Sequence, residues 1–166
     1  QIVSLHIPGE MPDLQCLFLP RMDHELCTLT EVTLAMVSHN DLKKLLSERP
    51  TLRAVLWRES LIESSLLREA VLNIGQRPAP ARLAHLLFEI RERLKTIGRA
   101  DSSVFDVPLN QEQIGDALGI SWVHTSRVVS MLRREGIVDV SRGRATVLNE
   151  KRFAELAQFD RLYLHQ

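Results

Sequence analysis

The hydrophobic positions of this 166-residue chain change their period along its length. Over residues 1–39 they tend to alternate. Ile2-Val3-Ser4-Leu5-His6-Ile7 alternates weakly, Pro8-Gly9-Glu10 interrupts it, and Leu17-Phe18-Leu19 makes a short apolar run before Pro20. From Glu25 to Val37, Leu26, Thr28, Thr30, Val32, Leu34 and Met36 fall on one face, the period-2 signature of a strand. Three or four such strands are too few to close a barrel, so the pattern predicts part of a β-roll that lacks its earlier strands.

Beyond residue 39 the period becomes helical. Asn40 can cap a short helix, Asp41 to Glu48, ended by Pro50. Thr51 opens a longer one running to about Asn73, with Leu52, Val55, Leu56, Ile62 and Leu66 in one stripe, Glu59 interrupting it, and Leu61, Leu67 and Leu72 outside it. A stripe that long needs a cover, and an identical helix from a second copy is the natural one. Gly75 marks the end of this helix, and Gln76-Arg77-Pro78-Ala79-Pro80 reads as a hinge. The chain thus divides into 1–75, a hinge at 76–80, and 81–166. Past the hinge, Ala81 to Ile97 places Leu83, Leu86, Leu87, Ile90 and Leu94 inward. A polar loop fills 98–106, Val107 to Leu109 reads as a short strand, and Glu150 to Phe159 forms a closing helix on Phe153, Leu156 and Ala157.

Between these lies the most specific stretch, Leu109 to Leu148. Asn110 can cap a helix with Gln113 as its reciprocal partner, and Ile114, Ala117 and Leu118 repeat at helical spacing. Gly119 suits the left-handed position that ends it. Ser121 caps a second helix with Val128, Val129 and Leu132 inward, ending at Gly136, and Gly115 supplies the small residue needed where two steeply crossed helices meet. Thr125 is polar where an apolar residue is usual. Two β-type runs joined by Ser141-Arg142-Gly143 follow. The whole reads as a winged helix-turn-helix.

A second helix of this kind enters the major groove with its N-terminal residues on base edges. Its outer face would carry Trp122, Val123, Ser126, Arg127 and Ser130, with Arg127 able to present a bidentate fork to guanine. Ser121 and Thr125 as short hydroxyls, and Arg142 and Arg144 at the hairpin tip, suit phosphates, and Asn110 and Gln111 at the start of the first helix join the DNA-binding set. His124 is placed to touch phosphate or water and not a metal.

Charge moderates this picture without reversing it. The chain is neutral overall, with 21 basic and 21 acidic side chains. Residues 1–77 hold 8 basic and 10 acidic groups, and residues 78–166 hold 13 and 11, so any attraction to a polyanion is focused on a few arginines. Hydrophobic residues make up 45% of the chain, which excludes a disordered tail, and no apolar run approaches the ~20 residues that span a bilayer. Cys16 and Cys27 have neither metal-ligand nor disulfide-framework spacing, which points to a reducing cytoplasm.

The order of parts, with Gln113-Ile114-Gly115, Leu118-Gly119-Ile120-Ser121, Arg127-Val128 and Leu132-Arg133-Arg134-Glu135-Gly136-Ile137, resembles the Crp/Fnr family of bacterial transcription regulators. The resemblance covers essentially the whole chain except the first half of the sensor roll. It implies an α+β fold: a truncated β-roll of the cyclic-nucleotide-binding jelly-roll kind, a long dimerisation helix, and a winged helix-turn-helix. It further implies a homodimer on a palindromic stretch of double-stranded DNA, with Leu52, Val55, Leu56, Glu59, Ile62 and Leu66 at the dimer seam and RNA polymerase as a partner. In members that bind cyclic AMP, a Gly-Glu pair is followed about ten residues later by Arg-Ser or Arg-Thr. Here Gly9-Glu10 and Arg21 occupy those places without the hydroxyl beside the arginine, so an effector pocket there is not expected to take cyclic AMP. Val123 stands where the family has a base-reading glutamate, so the operator is expected to diverge. The family's iron-sulfur ligands lie in a segment outside this sequence, and Cys16 and Cys27 do not resemble them.

No GxSxG, P-loop, HExxH or dinucleotide motif points to an enzyme. Glu59, Glu63 and Glu69 sit at helical spacing and read as a solvated face. The rival reading is a winged-helix module for protein assembly, favoured by Trp122 and Val123 where a reader is usually polar.

Overall fold

The structure is a computed structural model that describes residues 1–101 and 103–165. Ser102, inside the expected polar loop, and Gln166 lie outside the described residues. Among the described residues, six helices and three short strands follow one another as α1 (His39–Glu48), α2 (Pro50–Gln76), α3 (Ala79–Thr96), β1 (Val104–Asp106), α4 (Gln111–Leu118), α5 (Trp122–Arg134), β2 (Val138–Ser141), β3 (Arg144–Val147) and α6 (Glu150–Ala157). Single 3-10 turns cover Leu14–Leu17 and Arg161–Leu164.

The α+β reading holds, with the sheet confined to the winged half. Its order is β1-β3-β2, all antiparallel, with Val138 opposite Val147 and Phe105 opposite Ala145. The expected strand at Val107 to Leu109 lies instead at Val104–Asp106, because β3 offers its free edge there. Leu83, Ala84, Leu87, Phe105, Ile114, Leu118, Val128, Leu132, Val138, Ala145 and Phe153 form one buried cluster under α3. Arg91 is buried in its wall, 4.2 Å over the Phe88 ring, with two hydrogen bonds to Glu150 of α6 at 2.7 and 2.9 Å. The pair ties α3 to α6 where an all-apolar stripe would have been expected.

The strands expected in residues 1–39 do not form. Residues 23–38 are irregular and largely exposed, and among the described residues none from 23 to 37 makes a backbone–backbone hydrogen bond. Alternation supplies a strand's two faces, but its N–H and C=O groups need a neighbouring strand, and among the described residues none pairs with this segment. Ile2, Leu5 and Ile7 instead pack against the winged-domain cluster. Glu10 follows them: Arg93, buried on α3, donates to both its carboxylate oxygens at 2.8 and 2.9 Å and to the Leu5 carbonyl at 2.7 Å. Against the burial that would raise it, the His6 hydrogen bond and the Arg93 charge hold the Glu10 carboxyl below the usual carboxylate range. These contacts set the surroundings of the three residues expected at an effector pocket. Glu10 is spent on Arg93, while Gly9 and Arg21 are solvent-exposed.

Helix α2 is longer than expected. Pro50 starts it at a position where a missing N–H costs nothing, Gly75 lies inside its last turn, and the extended Arg77 before Pro78 stops it. The stripe assigned to the dimer seam is partly covered by its own chain, since Leu52 and Leu56 pack on Leu17, Leu42 and Leu46. Leu52, Leu56, Ile62 and Leu66 are half-buried, and Val55 and Glu59 are exposed. The face left open instead carries Trp57, 68% exposed, Leu61, 51%, and Val71, 72%, with Leu67 at its margin.

Candidate nucleic-acid interface

The interface is built on two helix starts and one tight turn. At the start of α4 the Asn110 side chain accepts from the Gln113 N–H at 2.8 Å, and the Gln113 side chain accepts from the Asn110 N–H at 2.9 Å. Gly119 ends the helix in the left-handed region at φ 65° and ψ 35°. The next residue but one, Ser121, caps α5 by accepting from the His124 N–H at 3.3 Å.

The crossing of α4 and α5 explains the odd polar residue. A Cβ on Gly115 would stand 2.7 Å from the Ile120 carbonyl oxygen and 2.9 Å from Thr125 Oγ1. Thr125 is fully buried in that contact, and its hydroxyl donates to the Ser121 carbonyl at 3.1 Å. Its expected role at a phosphate is therefore corrected: Thr125 is part of the joint between the two helices and offers nothing to the outside.

The remaining expected residues of α5 do share one outward region. Trp122, Val123, His124, Arg127 and Ser130 are exposed and Ser126 is half-buried, while Val128, Val129 and Leu132 face the core. Trp122 at 62% and Val123 at 39% stand at the N-terminal end of the helix. Among the described residues Arg127 makes no hydrogen bond and no ion pair, so its fork is free to meet a ligand. The Ser121 hydroxyl, by contrast, is occupied as the cap.

The wing closes the other side. Ser141 faces Arg144 across the ladder, and the two residues between, Arg142 at φ 51° and Gly143 at φ 75°, both take the left-handed conformation. That is the mirror-image turn whose twist matches a hairpin's, and it thrusts Arg142 outward at the tip. Arg144 is less free: its Nε donates to Asp106 on β1 at 3.1 Å, with both side chains 68% exposed. Asn110, Gln111, Ser130, Arg133 and Arg142 line a cleft of about 780 Å³ between α4, α5 and the wing. Arg133, which sequence reasoning left out, lies three residues past Ser130 on the same face, a spacing that could have found it. Asp139 at the cleft's floor stands 3.6 Å from Arg133 and tempers its charge.

Chemically, this surface offers an arginine fork, exposed hydroxyls, two apolar side chains able to meet a thymine methyl, and cations on both flanks. Among the described residues no group of three His, Cys, Asp or Glu is placed to hold a metal ion, and no helix is long and apolar enough to cross a membrane.

Residues 81–156 match the Crp-like helix-turn-helix domain family. The chain is 30% identical over 119 residues to a probable transcriptional activator of Rhizobium leguminosarum bv. viciae, covering 72% of this chain and 49% of that protein. It is 26% identical over 157 residues to the nitrogen fixation regulation protein FixK of Bradyrhizobium diazoefficiens, covering 95% of this chain and 65% of that protein. Among solved structures it is similar to FixK2 from Bradyrhizobium japonicum, with a TM-score of 0.64 and 26% identity over 72% of this chain and 59% of that one. The chain therefore spans about half to two thirds of the length of the curated relatives it matches. With the capped helix pair, the wing and these likenesses in agreement, residues 81–156 belong to the Crp-like helix-turn-helix domain family, and the chain as a whole is similar to transcription regulators of the Crp/Fnr family.

Proposed function

We propose that this chain is a sequence-specific regulator of transcription that binds double-stranded DNA through α5 and the wing, two copies to a palindromic operator. The observation that carries the reading is the free Arg127 fork on the outer face of a helix whose inner face is locked to α4 by the Gly115–Thr125 joint. Trp122, Val123, Arg127 and Ser130 would address base edges, and Ser126 and His124 the groove wall. Asn110, Gln111, Ser121, Arg133, Arg142 and Arg144 would meet phosphates through side chains or backbone N–H groups.

The open face of α2 supports pairing with a second copy. Trp57, Leu61, Ser64, Arg68 and Val71 recur at spacings of four and three, the repeat of a helix seam, so we place the dimer contact there and not on the stripe that Leu52 and Leu56 already share with α1. Two recognition helices held by such a seam would enter major grooves about 34 Å apart. Contact with RNA polymerase rests on family likeness. The engagement of Glu10 by Arg93 speaks against a cyclic AMP site at Gly9, Glu10 and Arg21.

The exposure of Trp122 and Val123 favours a second reading, a surface for protein assembly. Fluorescence anisotropy against a random-sequence duplex at two salt concentrations separates the two. Salt-sensitive binding, with an affinity slope of about −5 if six arginines across two copies neutralise phosphates, is the expected result. A flat signal at low salt would leave the assembly reading standing alone.

A further inference from the structure

Beyond α6, residues 158–165 run back to the long helix. Gln158 turns it at φ 48°, and the Phe159 ring packs 4.8 Å from that of Phe88 and 5.4 Å from that of His85. Asp160 then caps the 3-10 turn by accepting from the Leu162 N–H at 2.9 Å. Leu164 is 3% exposed. On the winged side, the Tyr163 hydroxyl lies 2.9 Å from Glu89 Oε2 and 3.1 Å from His85 Nε2, both on α3. On the other side, Arg58 of α2 donates to the His165 carbonyl, and Ser65 of α2 stands 3.4 Å from His165 Nε2.

The same node holds the α2–α3 junction. Arg77, 9% exposed, donates to Glu69 of α2 at 2.8 Å and to the Gln158 carbonyl at 3.5 Å. His85 sits 3.4 Å from Glu69 and donates through Nδ1 to the Ala157 carbonyl at 2.9 Å. Helix α2 packs more extensively on this returning segment than on α3 itself. Burial and the Glu89 carboxylate push the Tyr163 hydroxyl far above its ordinary range, so it acts there as a proton donor throughout the working pH range. None of these contacts is used by the reading surface, and their common property is that each crosses from α2 to the winged domain or braces one that does.

We propose that residues 158–165 are a strap that fixes the angle between the long helix and the DNA-reading domain, with Tyr163 as the positioning residue, and so restricts the half-site spacing that two paired copies accept. The inference rests on the DNA-binding reading for its consequence and on the contacts alone for its mechanics. Successive bases along one strand are about 3.4 Å apart, so a modest swing of each reading domain on α2 would carry its recognition helix by a whole base-pair step.

The test uses the full chain and its Tyr163→Phe variant, which removes only the hydroxyl, with Arg58→Ala as a second variant that releases the strap from the α2 side. Hydrogen exchange reads the mechanics. Tyr163→Phe should speed exchange over residues 73–82 by about fivefold, as expected when a part-buried hydrogen bond is removed, Arg58→Ala should do so by less because its bond to the His165 carbonyl is exposed, and both should leave peptides from α4 and α5 unchanged. Selection from a random-sequence duplex pool reads the consequence: the unaltered protein should enrich paired half-sites at one spacing, and the variants the same half-sites over a range of spacings. Unchanged exchange at 73–82 overturns the strap, as does a uniform rise across the winged domain, which would make Tyr163 an ordinary core residue. A single retained spacing in the variants overturns the consequence. If the unaltered protein enriches no sequence, the DNA-binding reading has failed and the exchange result alone decides the strap.

Discussion

Helices α2 and α5 each leave one long face uncovered by their own chain, and the two faces differ in kind. On α5 the open side chains are Arg127, Ser130 and Arg133, with Trp122 and Val123 at the leading end. On α2 they are Trp57, Leu61 and Val71, with Ser64 and Arg68 between. An arginine face is stable in water until a polyanion replaces its counterions. An apolar face forgoes about 25 cal/mol for each Å² left wet, so its side chains favour a partner that covers them. The difference suits the two helices to different partners, on the proposed reading DNA on one and a like helix on the other, so that each can be broken without the other.

The largest effect should come from the apolar face. Leu61→Glu places a charge in the middle of the open stripe, so it should give monomers by light scattering and weaken binding to a selected operator on the order of a hundredfold, because each module then binds without its twin. Ile62→Glu, on the partly covered side, should leave the dimer intact. Monomers from Ile62→Glu with a surviving Leu61→Glu dimer would return the seam to Leu52, Val55, Leu56, Glu59, Ile62 and Leu66. Binding of one module to random duplex should survive either change, which is what keeps the two faces separable.

Next come two glycines that sort the helices by how tightly they are packed. At Gly115 a methyl group meets a backbone oxygen at 2.7 Å that cannot move without opening the turn. Gly115→Ala should therefore cost about 1–3 kcal/mol, read as a lower urea midpoint, with loss of DNA binding. At Gly75 a Cβ would meet nothing within 4 Å, and Gly75→Ala should stabilise by about 0.5–1 kcal/mol through helix propensity. A neutral Gly115→Ala would mean that α4 and α5 are not held at this crossing.

Within the reading surface the arginines should separate by role. Arg127→Ala should remove about 1–3 kcal/mol of discrimination between the selected operator and random duplex while sparing binding to the latter. Arg142→Ala should weaken both and reduce the salt slope by about 0.9 for each phosphate that is no longer neutralised. Arg144→Ala should do less, because Asp106 already neutralises part of its charge. Unaltered sequence preference in Arg127→Ala would move base reading to Trp122 and Val123.

What was legible in the sequence was what is local. The Asn110–Gln113 box, the Gly119 turn, the Ser121 cap and the Arg142-Gly143 hairpin each depend on residues within five positions of one another, and each stands where the spacing put it. Thr125 looked out of place because its reason, the bare Cα of Gly115, is ten residues away across the helix crossing. Residues 25–37 alternate as regularly as the wing does, yet only the wing has its pairing partner within reach. The engagement of Glu10 by Arg93, the burial of Arg91 beside Glu150, and the tie of Glu69 to Arg77, where a solvated face was expected, join residues that no period connects.

The smallest predicted effect lies in that last group, at His85, which is 2% exposed between α3, α6 and the strap. Burial lowers its pKa most; the Ala157 hydrogen bond opposes this, Arg77 adds to it, and Glu69 and Glu89 oppose it, leaving the folded value below 6.5. The unfolded chain therefore takes up a proton near pH 6.5 that the folded chain refuses, so stability is level above that pH and declines below it until the folded group also titrates. Urea midpoints measured from mildly alkaline to mildly acidic conditions should fall more steeply in the unaltered protein than in His85→Gln, which keeps a donor for the Ala157 carbonyl but cannot charge. Parallel profiles would show that the Ala157 hydrogen bond and the Glu69 and Glu89 carboxylates offset burial fully, and that the node joining α2 to the reading domain accepts a proton as readily as an imidazole free in water.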